Sequence, residues 1–306
     1  MNSYRQSRIR SHLELRSRLL AAIRNFFLQN DYLEVETPVR IPAPAPEAHI
    51  DAVGSEGWYL QTSPELCMKR LLAAGFERIF QICRCFRRKE RGQRHLPEMT
   101  LLEWYTAGED YRHMMEQCQA LIGHVARQLN LGRLLTYQDR PIDLQPPWTR
   151  LSVERAFALH GSLSLEKALA ADRFDEIMGL QIEPRLGWDR PVILYDYPAS
   201  CGALARLKGD PAMVAERFEL YMGGLELCNA FSELIDPVEQ RRRFHEESAR
   251  REAAGKPVYP MPEPFLSSLT SMPPATGNAL GVDRLMMLLT DAREIDEVVA
   301  FVPEEL

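Results

Sequence analysis

The sequence has no apolar run long enough to cross a membrane. A bilayer-spanning helix needs about 20 consecutive apolar residues, and the apolar stretches among the 306 residues are far shorter. No apolar signal segment stands at the amino terminus. The composition therefore predicts a soluble protein without membrane contact.

Cysteine is sparse, with six residues in the chain. Without a signal segment, this usage is typical of reduced thiols in a cytosol, so we predict a cytoplasmic protein without a disulfide framework. Cys83 and Cys85 are spaced like half a metal site, but no second Cys or His pair stands at zinc-finger spacing. Packing within a strand is the better interpretation, and no structural metal is expected.

The chain also lacks an excess of positive charge. Its net charge of -6 argues against a protein that coats nucleic acid. The amino-terminal stretch is an exception, because a single acid, Glu14, accompanies six arginines. A basic binding face and an ordinary solvated helix face both explain this pattern. These arginines are Arg5, Arg8, Arg10, Arg16, Arg18 and Arg24.

Periodicity predicts an α+β fold, with helices around an antiparallel sheet. Apolar residues recur at helical spacing over residues 11–27, and residues 32–38 alternate like a strand ending at Pro38. Residues 76–87 and 99–105 form a predicted strand–loop–strand unit with a basic loop. The other predicted elements are helices at 110–129, from about 152, 213–220, 238–254 and 284–289, and strands at 191–197, 225–234 and 277–282.

Three of these segments, in chain order, resemble the three signature motifs of class II aminoacyl-tRNA synthetases. The helix and strand before Pro38 resemble motif 1, residues 76–105 resemble motif 2, and residues 277–289 resemble motif 3. The resemblance covers nearly the whole chain. It implies the class II catalytic domain, which forms an aminoacyl-adenylate from ATP, and a homodimer that associates through motif 1.

Phosphate chemistry explains the arginines in these motifs. Attack on the α-phosphate of ATP spreads charge over phosphate oxygens, and a planar guanidinium binds two such oxygens at once. The resemblance assigns Arg87 to the α-phosphate and Arg284 to the far phosphate, as the catalytic pair. Gly281 would let the backbone approach the nucleotide. The further ATP-binding candidates are Glu90, His95, Glu226 and Leu227.

Carboxylates supply the other half of the predicted site. Magnesium bridging the phosphates prefers hard oxygen ligands, and Glu226 and Glu233 are the candidates. Residues 226–233 resemble the lysyl-type sequence E-x-x-N-G-F-x-E, in which the first Glu serves ATP and magnesium and the second the substrate. Strict alternation would place the two acids on opposite faces of the strand, so the interpretation requires a bulge or turn between them.

The substrate candidates are acidic or polar, as a cationic amino acid requires. An unpaired carboxylate inside a pocket rejects neutral amino acids, because its desolvation costs several kcal/mol. Read without the resemblance, Ser63 to Glu65 is a capped helix start and Tyr105 a core residue. The substrate-binding candidates are Ser63, Pro64, Glu65, Tyr105, Asn229, Glu233 and Ala279.

Within the class, the chain resembles the elongation factor P lysine ligases, stand-alone paralogues of lysyl-tRNA synthetase. Residues 197–205 are similar to their P-A-S-x-x-x-L-A segment, and Ala279 stands where lysyl-tRNA synthetases have glycine. About ten residues precede the first helix, which leaves no room for an OB-fold anticodon-binding domain, so we expect a single catalytic domain over residues 1–306.

This resemblance implies that ATP and Mg²⁺ are used to activate lysine or (R)-β-lysine. It implies transfer to a lysine ε-amine of elongation factor P, with tRNA an unexpected acceptor. Two alternatives remain open at this point: a free-standing enzyme that charges tRNA or another carrier, and a non-catalytic regulatory subunit.

Departures from the family pattern concentrate in the motif 2 loop. Lys89 replaces the usual Glu, Leu96 the usual Asn, and Met99 the Phe that stacks on adenine. Glu90, one residue later, is a substitute for the missing Glu, and methionine can still cover an aromatic face. Outside the loop, Ala230 replaces the glycine after Asn229.

Overall fold

A mixed β-sheet forms the centre of the molecule, in a computed structural model that describes residues 4–209 and 214–306. Within these residues the sheet has nine strands, in the order β1-β5-β6-β14-β13-β12-β10-β9, with β11 paired to β12. The strands are β1 Leu33–Glu34, β5 Arg78–Phe86, β6 Glu98–Ala107, β9 Thr149–Ser152, β10 Val192–Pro198, β11 Leu207–Lys208, β12 Val214–Met222, β13 Leu225–Ser232 and β14 Ala275–Gly281.

The interior pairs of this sheet are antiparallel, whereas β1 and β9 pair in parallel at its two edges. A small sheet of order β2-β4-β3 and a hairpin of β7 and β8 lie outside it. Their strands are β2 Arg40–Ile41, β3 Gly54–Ser55, β4 Trp58–Leu60, β7 Leu134–Tyr137 and β8 Arg140–Asp143.

Helices flank the central sheet, and side-chain caps fix the starts of two of the longest. Asp110 accepts hydrogen bonds from the backbone of Arg112 and His113, and Asp236 does the same ahead of Pro237. The α-helices are α1 Arg5–Arg8, α2 Arg10–Gln29, α3 Glu65–Ala73, α4 Tyr111–Gln128, α5 Val153–His160, α6 Leu165–Ala170, α7 Phe174–Ile177, α8 Pro237–Ala253, α9 Glu263–Ser268 and α10 Val282–Leu289.

The two faces of the sheet differ in what covers them. On one face α2, α4 and α10 pack against residues such as Phe80 and Trp104, and Phe27 stacks on Phe80 with ring centroids 4.7 Å apart. On the other face α3 and α9 form a smaller apolar layer that includes Tyr105. Strand alternation sends odd-numbered residues of β6 to this second face, and it is the face that carries the site.

The α+β prediction is confirmed, and one predicted helix is wrong. Of residues 213–220, Met213 lies outside the described residues and the remainder belong to strand β12, which pairs with β10 and β13. The segment contains good helix formers, but burial between two strands decides its conformation: Ala215, Phe218 and Leu220 are inaccessible to solvent. Tertiary packing overrides local propensity here.

The amino-terminal arginines are largely engaged within the molecule. Arg5 pairs with Glu305 at 2.7 Å, and Arg16 pairs with Asp283 at 2.6 Å. Arg10 and Arg24 also form ion pairs, with Glu14 and Glu34. These contacts weaken the interpretation of the segment as a basic binding face.

Over the described ranges, no helix combines the length and apolar character needed to cross a bilayer. All six cysteines are free thiols, and the sulfur atoms of Cys83 and Cys85 lie 3.8 Å apart on β5. No cluster of three or more His, Cys, Asp or Glu side chains suited to a metal ion occurs in residues 4–209 and 214–306.

Candidate active site

A single cavity on the second face of the sheet collects most of the predicted site residues. Its floor consists of β6, β13 and β14, and α3 and the loops around residues 47–50 and 87–99 form its walls. Pro64 and Glu233 do not line it. The predicted residues that do are Ser63, Glu65, Arg87, Glu90, His95, Tyr105, Glu226, Leu227, Asn229, Ala279, Gly281 and Arg284.

A β-bulge aligns the two ends of strand β13. Leu220 of β12 pairs with Cys228, whereas the next residue, Tyr221, pairs with Glu226, so Leu227 is an extra residue in β13. The bulge restores Glu226 to the cavity face that Asn229 also occupies. The sequence prediction that a bulge must separate Glu226 from Glu233 is confirmed.

One end of the cavity is rich in arginine. Arg284, on the first turn of α10, donates to the carboxylate of Glu226 at 3.1 Å and to its carbonyl oxygen at 2.9 Å. Arg284 also contacts Nε2 of His95. Burial and the Arg284 charge lower the pKa of His95 to about 4, so its ring is neutral at physiological pH.

Arg87 lies at the same end, immediately after β5. Its guanidinium is 3.9 Å from the carboxylate of Glu90, and both side chains line the cavity with about a quarter of their surface exposed. The planar donors of Arg87 therefore remain accessible for an anionic ligand. Glu90 lines the cavity beside Arg87, and its role as a substitute acid stays a prediction.

A buried brace that the sequence did not reveal holds this end together. Asp283, next to Arg284, pairs with Arg16 of α2 and accepts a hydrogen bond from the backbone of Thr100 at 2.8 Å. Arg16 also donates to the Thr100 hydroxyl at 2.8 Å. Helix α2, strand β6 and helix α10 thus meet at a single carboxylate, which fixes the position of the neighbouring arginine.

The opposite end is rich in carboxylates. Glu103 of β6 accepts hydrogen bonds from the Ser63 hydroxyl at 2.6 Å and the Tyr105 hydroxyl at 3.1 Å. Burial, reinforced by the nearby Glu65 charge, raises the pKa of Glu103 to about 8. Ser63 also accepts from the backbone of Glu65 at the start of α3, so the helix-start and substrate-binding interpretations both fit this segment.

Glu233 lies just behind this end, and its partner is a buried lysine. Nζ of Lys69 is 2.5 Å from Oε2 of Glu233 and 2.5 Å from Oε1 of Glu65. A carboxylate paired with a buried cation is unsuited to hold Mg²⁺, so the prediction of Glu233 as a metal ligand is not supported. Pro64 contributes backbone only, preceding Glu65 at the start of α3.

Ala279 lies between the two ends. On β14 it pairs with Glu103 of β6 on one side and with Asn229 of β13 on the other, so it lies between Glu103, which the sequence did not mark, and the predicted substrate contact Asn229. Asn229 is fixed in turn by partly buried Arg217, which donates to its side-chain oxygen at 3.0 Å. Gly277 on β14 has no room for a side chain, because an added Cβ would lie 2.3 Å from the Tyr105 ring and 2.4 Å from Glu233.

Glu47 is a cavity residue that the sequence reasoning missed. Burial and the Glu65 charge raise its pKa to about 7. Its loop is pinned by fully buried Arg251 of α8, which donates to the carbonyl oxygens of Glu47 and Ile50 and to the carboxylate of Asp51. No local sequence signal marks this role, because the contacts join residues about 200 positions apart.

The departures in the motif 2 loop fall into two groups. Leu96 and Met99 line the cavity, and Leu96 is buried in the main core cluster, so both contribute apolar surface near the arginines. Lys89 is exposed, outside the cavity lining, with a left-handed backbone at φ 68°. Ala230 is fully buried on the opposite face of β13 from Asn229, so its extra methyl group does not enter the cavity.

Comparison with known proteins matches residues 1–305 to the family model of tRNA synthetases class II (D, K and N). The chain is 38% identical to "Elongation factor P--(R)-beta-lysine ligase" of Edwardsiella ictaluri, over 98% of each chain. It is also 38% identical to the protein of the same name from Klebsiella pneumoniae, over 94% of this chain and 93% of the relative.

A longer relative is the "Lysine--tRNA ligase" of Magnetococcus marinus, 35% identical over 96% of this chain. The match spans 64% of that relative's length. All three relatives carry names that describe ligases, and they differ in the stated acceptor.

Proposed function

Because the chain belongs to the class II tRNA synthetase family (D, K and N), we propose that it is an ATP-dependent ligase acting on lysine or (R)-β-lysine. In this proposal the enzyme forms the aminoacyl-adenylate and transfers the aminoacyl group to a lysine ε-amine of elongation factor P. The relatives matched nearly end to end carry this function in their names. The structural observation that supports this proposal is one cavity with arginines at one end and carboxylates at the other.

The arginine end suits the nucleotide. During adenylation an oxygen of the substrate carboxylate attacks the α-phosphorus of ATP, and pyrophosphate leaves. Arg87 would bind the α-phosphate oxygens as charge develops, and Arg284 the distal phosphate. The protein itself leaves space at Gly281, where an added Cβ would lie 3.9 Å from its nearest neighbours. We therefore attribute the glycine to close approach of the nucleotide.

Glu226 fits a magnesium ion that arrives with ATP. Mg²⁺ is commonly held by one or two carboxylates together with substrate phosphates and water, so a single cavity-facing acid is sufficient. Glu226 meets this requirement, because about a third of its side chain is exposed and it lies beside Arg284. When bound, the ion would neutralise phosphate charge.

The carboxylate end suits the ammonium group of the side chain. Glu65, Glu103 and Tyr105 would face it, and a neutral side chain would leave buried acids without a partner. Asn229 and Ala279, nearer the middle, would contact the part of the substrate next to its carboxyl group. The acceptor ε-amine would then attack the carbonyl carbon, AMP would leave, and loss of a proton from the amine would complete the amide.

A homodimer that associates through the motif 1 segment is part of this proposal. Leu28 near the end of α2, Leu33 in β1 and Phe76 before β5 are each at least 42% exposed. Apolar side chains on neighbouring elements of a sheet edge are typical of a covered surface. Light scattering should give a mass of about twice 35.1 kDa.

Amino-acid-dependent exchange of pyrophosphate into ATP tests the first step. Exchange with lysine or (R)-β-lysine is expected, and absence of exchange with both would overturn the enzymatic proposal. Intact-mass measurement of elongation factor P, against a variant lacking its acceptor lysine, tests the second step. Charging of total tRNA in place of elongation factor P would favour the alternative acceptor.

A further inference from the structure

Lys69 is a buried cation that the proposed reaction does not use. We propose that it is a specificity-determining positioning residue, a permanent internal counter-ion that leaves the carboxylate end of the cavity able to take one further ammonium group. The inference rests on the proposed function and concerns how that site selects its amino acid.

Two elements bring the three charges together. Lys69 follows Glu65 by one turn of α3, and Glu233 is the first residue after β13. The side chains of Lys69 and Glu233 are both 0% exposed, and the ammonium nitrogen lies 2.5 Å from each of the two carboxylates. A lysine this buried is retained only with paired charges around it.

Apolar rings enclose the rest of the ammonium group. Nζ of Lys69 lies 5.1 Å from the ring centroid of Phe231 and 5.9 Å from that of Phe265. Ring faces attract a cation and exclude water. Displacing Lys69 from its carboxylates would leave an unpaired ammonium group in an apolar environment. The ammonium group of an incoming substrate therefore does not replace Lys69. The lysine is a fixed part of the subsite.

The number of charges determines what the subsite accepts. Glu65, Glu103 and Glu233 supply three carboxylates, and Lys69 supplies one ammonium group. Glu103 already accepts hydrogen bonds from Ser63 and Tyr105, which support it without adding charge. Glu65 has one oxygen directed to Lys69 and lines the cavity, so it shares the internal cation with the substrate. Lys69 thus offsets one of the three carboxylates, and Glu65 and Glu103, which line the cavity, remain to face the ammonium group of the substrate.

Removal of the internal cation should make the subsite dependent on an added one. In Lys69→Ala, Glu65 and Glu233 lose their shared partner and a space opens that a small alkylammonium ion can occupy. In Lys69→Met the charge is lost but the space stays filled. Comparing the two variants separates the effect of the Lys69 charge from the effect of its packing. A purely structural role for Lys69 would not make the variants differ in their response to methylammonium.

The experiment measures lysine binding by calorimetry and the KM and kcat of pyrophosphate exchange, with and without methylammonium chloride. Both neutral variants should weaken lysine binding by at least about tenfold, with a smaller change in kcat. Methylammonium should restore binding in Lys69→Ala and not in Lys69→Met. Lys208→Met is the matched control, because Lys208 pairs with Asp196 at 2.8 Å outside the cavity, and it should bind lysine as the wild type does.

Wild-type affinity in Lys69→Met would overturn the inference, and so would weakened binding in folded Lys69→Ala that methylammonium does not restore. If both neutral variants fail to fold by thermal melting, Lys69→Arg decides: it should fold and keep lysine affinity within several-fold, and loss of that affinity would overturn the proposal. Absence of exchange in the wild type is a separate failure, of the proposed function, because the calorimetric comparison needs no turnover.

Discussion

The two ends of the cavity are built on different principles. At the arginine end, Arg87, Arg284 and Glu226 remain partly exposed and are held by a brace beneath them, Arg16 with Asp283. At the carboxylate end, Lys69 and Glu233 are fully buried and paired with each other. The arginine end keeps guanidinium donors accessible for an anionic ligand that arrives with its own counter-ions. The second has part of its charge compensated in advance by Lys69, so a small change in charge there should alter selectivity.

Loss of Arg87, the proposed α-phosphate ligand, should have the largest effect. Arg87→Ala should lower kcat/KM for pyrophosphate exchange by about 10³-fold, because a donor to developing charge contributes most in the transition state. Lysine binding at the other end should be nearly unchanged by calorimetry. Arg88→Ala, at an exposed position outside the cavity lining, is the control and should retain activity. Equal losses in the two variants would contradict the assignment.

The second-largest effect is expected from a methyl group added at each end of the cavity, because the two additions should alter different properties. Gly277→Ala should raise KM for lysine by about tenfold or more and lower stability by about 1–3 kcal/mol, since its Cβ would overlap Tyr105 and Glu233. Gly281→Ala should leave the melting temperature unchanged, because the protein has room there, and should raise KM for ATP instead. Thermal melts and steady-state exchange kinetics measure both. A melting temperature lowered equally in both variants would contradict the distinction.

The pH dependence should also differ between the ends. Burial raises the pKa of Glu103 to about 8, so its binding-competent, ionised form grows as pH rises towards that value. KM for lysine should therefore fall by up to about tenfold per pH unit between pH 6 and 8. The pKa of His95 is lowered to about 4, so its neutral form, and KM for ATP, should not change over this range. Burial also raises the pKa of Glu233 to about 8, so Glu103→Gln should make the lysine profile shallower without flattening it. An unchanged profile in that variant would refute the assignment.

The smallest effect on activity is expected from the brace. Arg16→Met leaves the buried Asp283 carboxylate without its cation, which should lower stability by about 3 kcal/mol and raise KM for ATP only several-fold. Arg24→Met removes a more exposed pair with Glu34 and should cost under about 1 kcal/mol. Chemical denaturation compares the two. A change in KM for lysine as large as that for ATP would show that the brace supports both ends.

Local pattern predicted much of this architecture. The strand predicted over residues 76–87 placed Arg87 at its end, and the helices predicted at 110–129 and 238–254 agree with α4 and α8 to within one residue at each end. The odd spacing of Glu226 and Glu233 even required the bulge that β13 contains. Such features are encoded over a few residues, which is why the sequence reveals them.

Features that depend on distant contacts were not predicted. Lys69 meets Glu233 across 164 positions, and Arg16 meets Asp283 across 267. Strand β12 was predicted as a helix because its burial between β10 and β13 is a property of the sheet. The pairing of Glu233 with Lys69 was missed for the same reason, since Lys69 comes from another element.

The bulge at Leu227 divides β13 into two segments whose facing is set independently. Before the bulge, Glu226 faces the arginine end of the cavity, and after it Asn229 faces the middle. Substitutions from Asn229 onward can therefore remodel amino acid choice while Glu226 keeps its orientation. Deleting the extra residue would turn Glu226 towards the core and remove its carboxylate from the cavity. In directed evolution, the two segments of β13 can therefore be varied separately, although they belong to one strand.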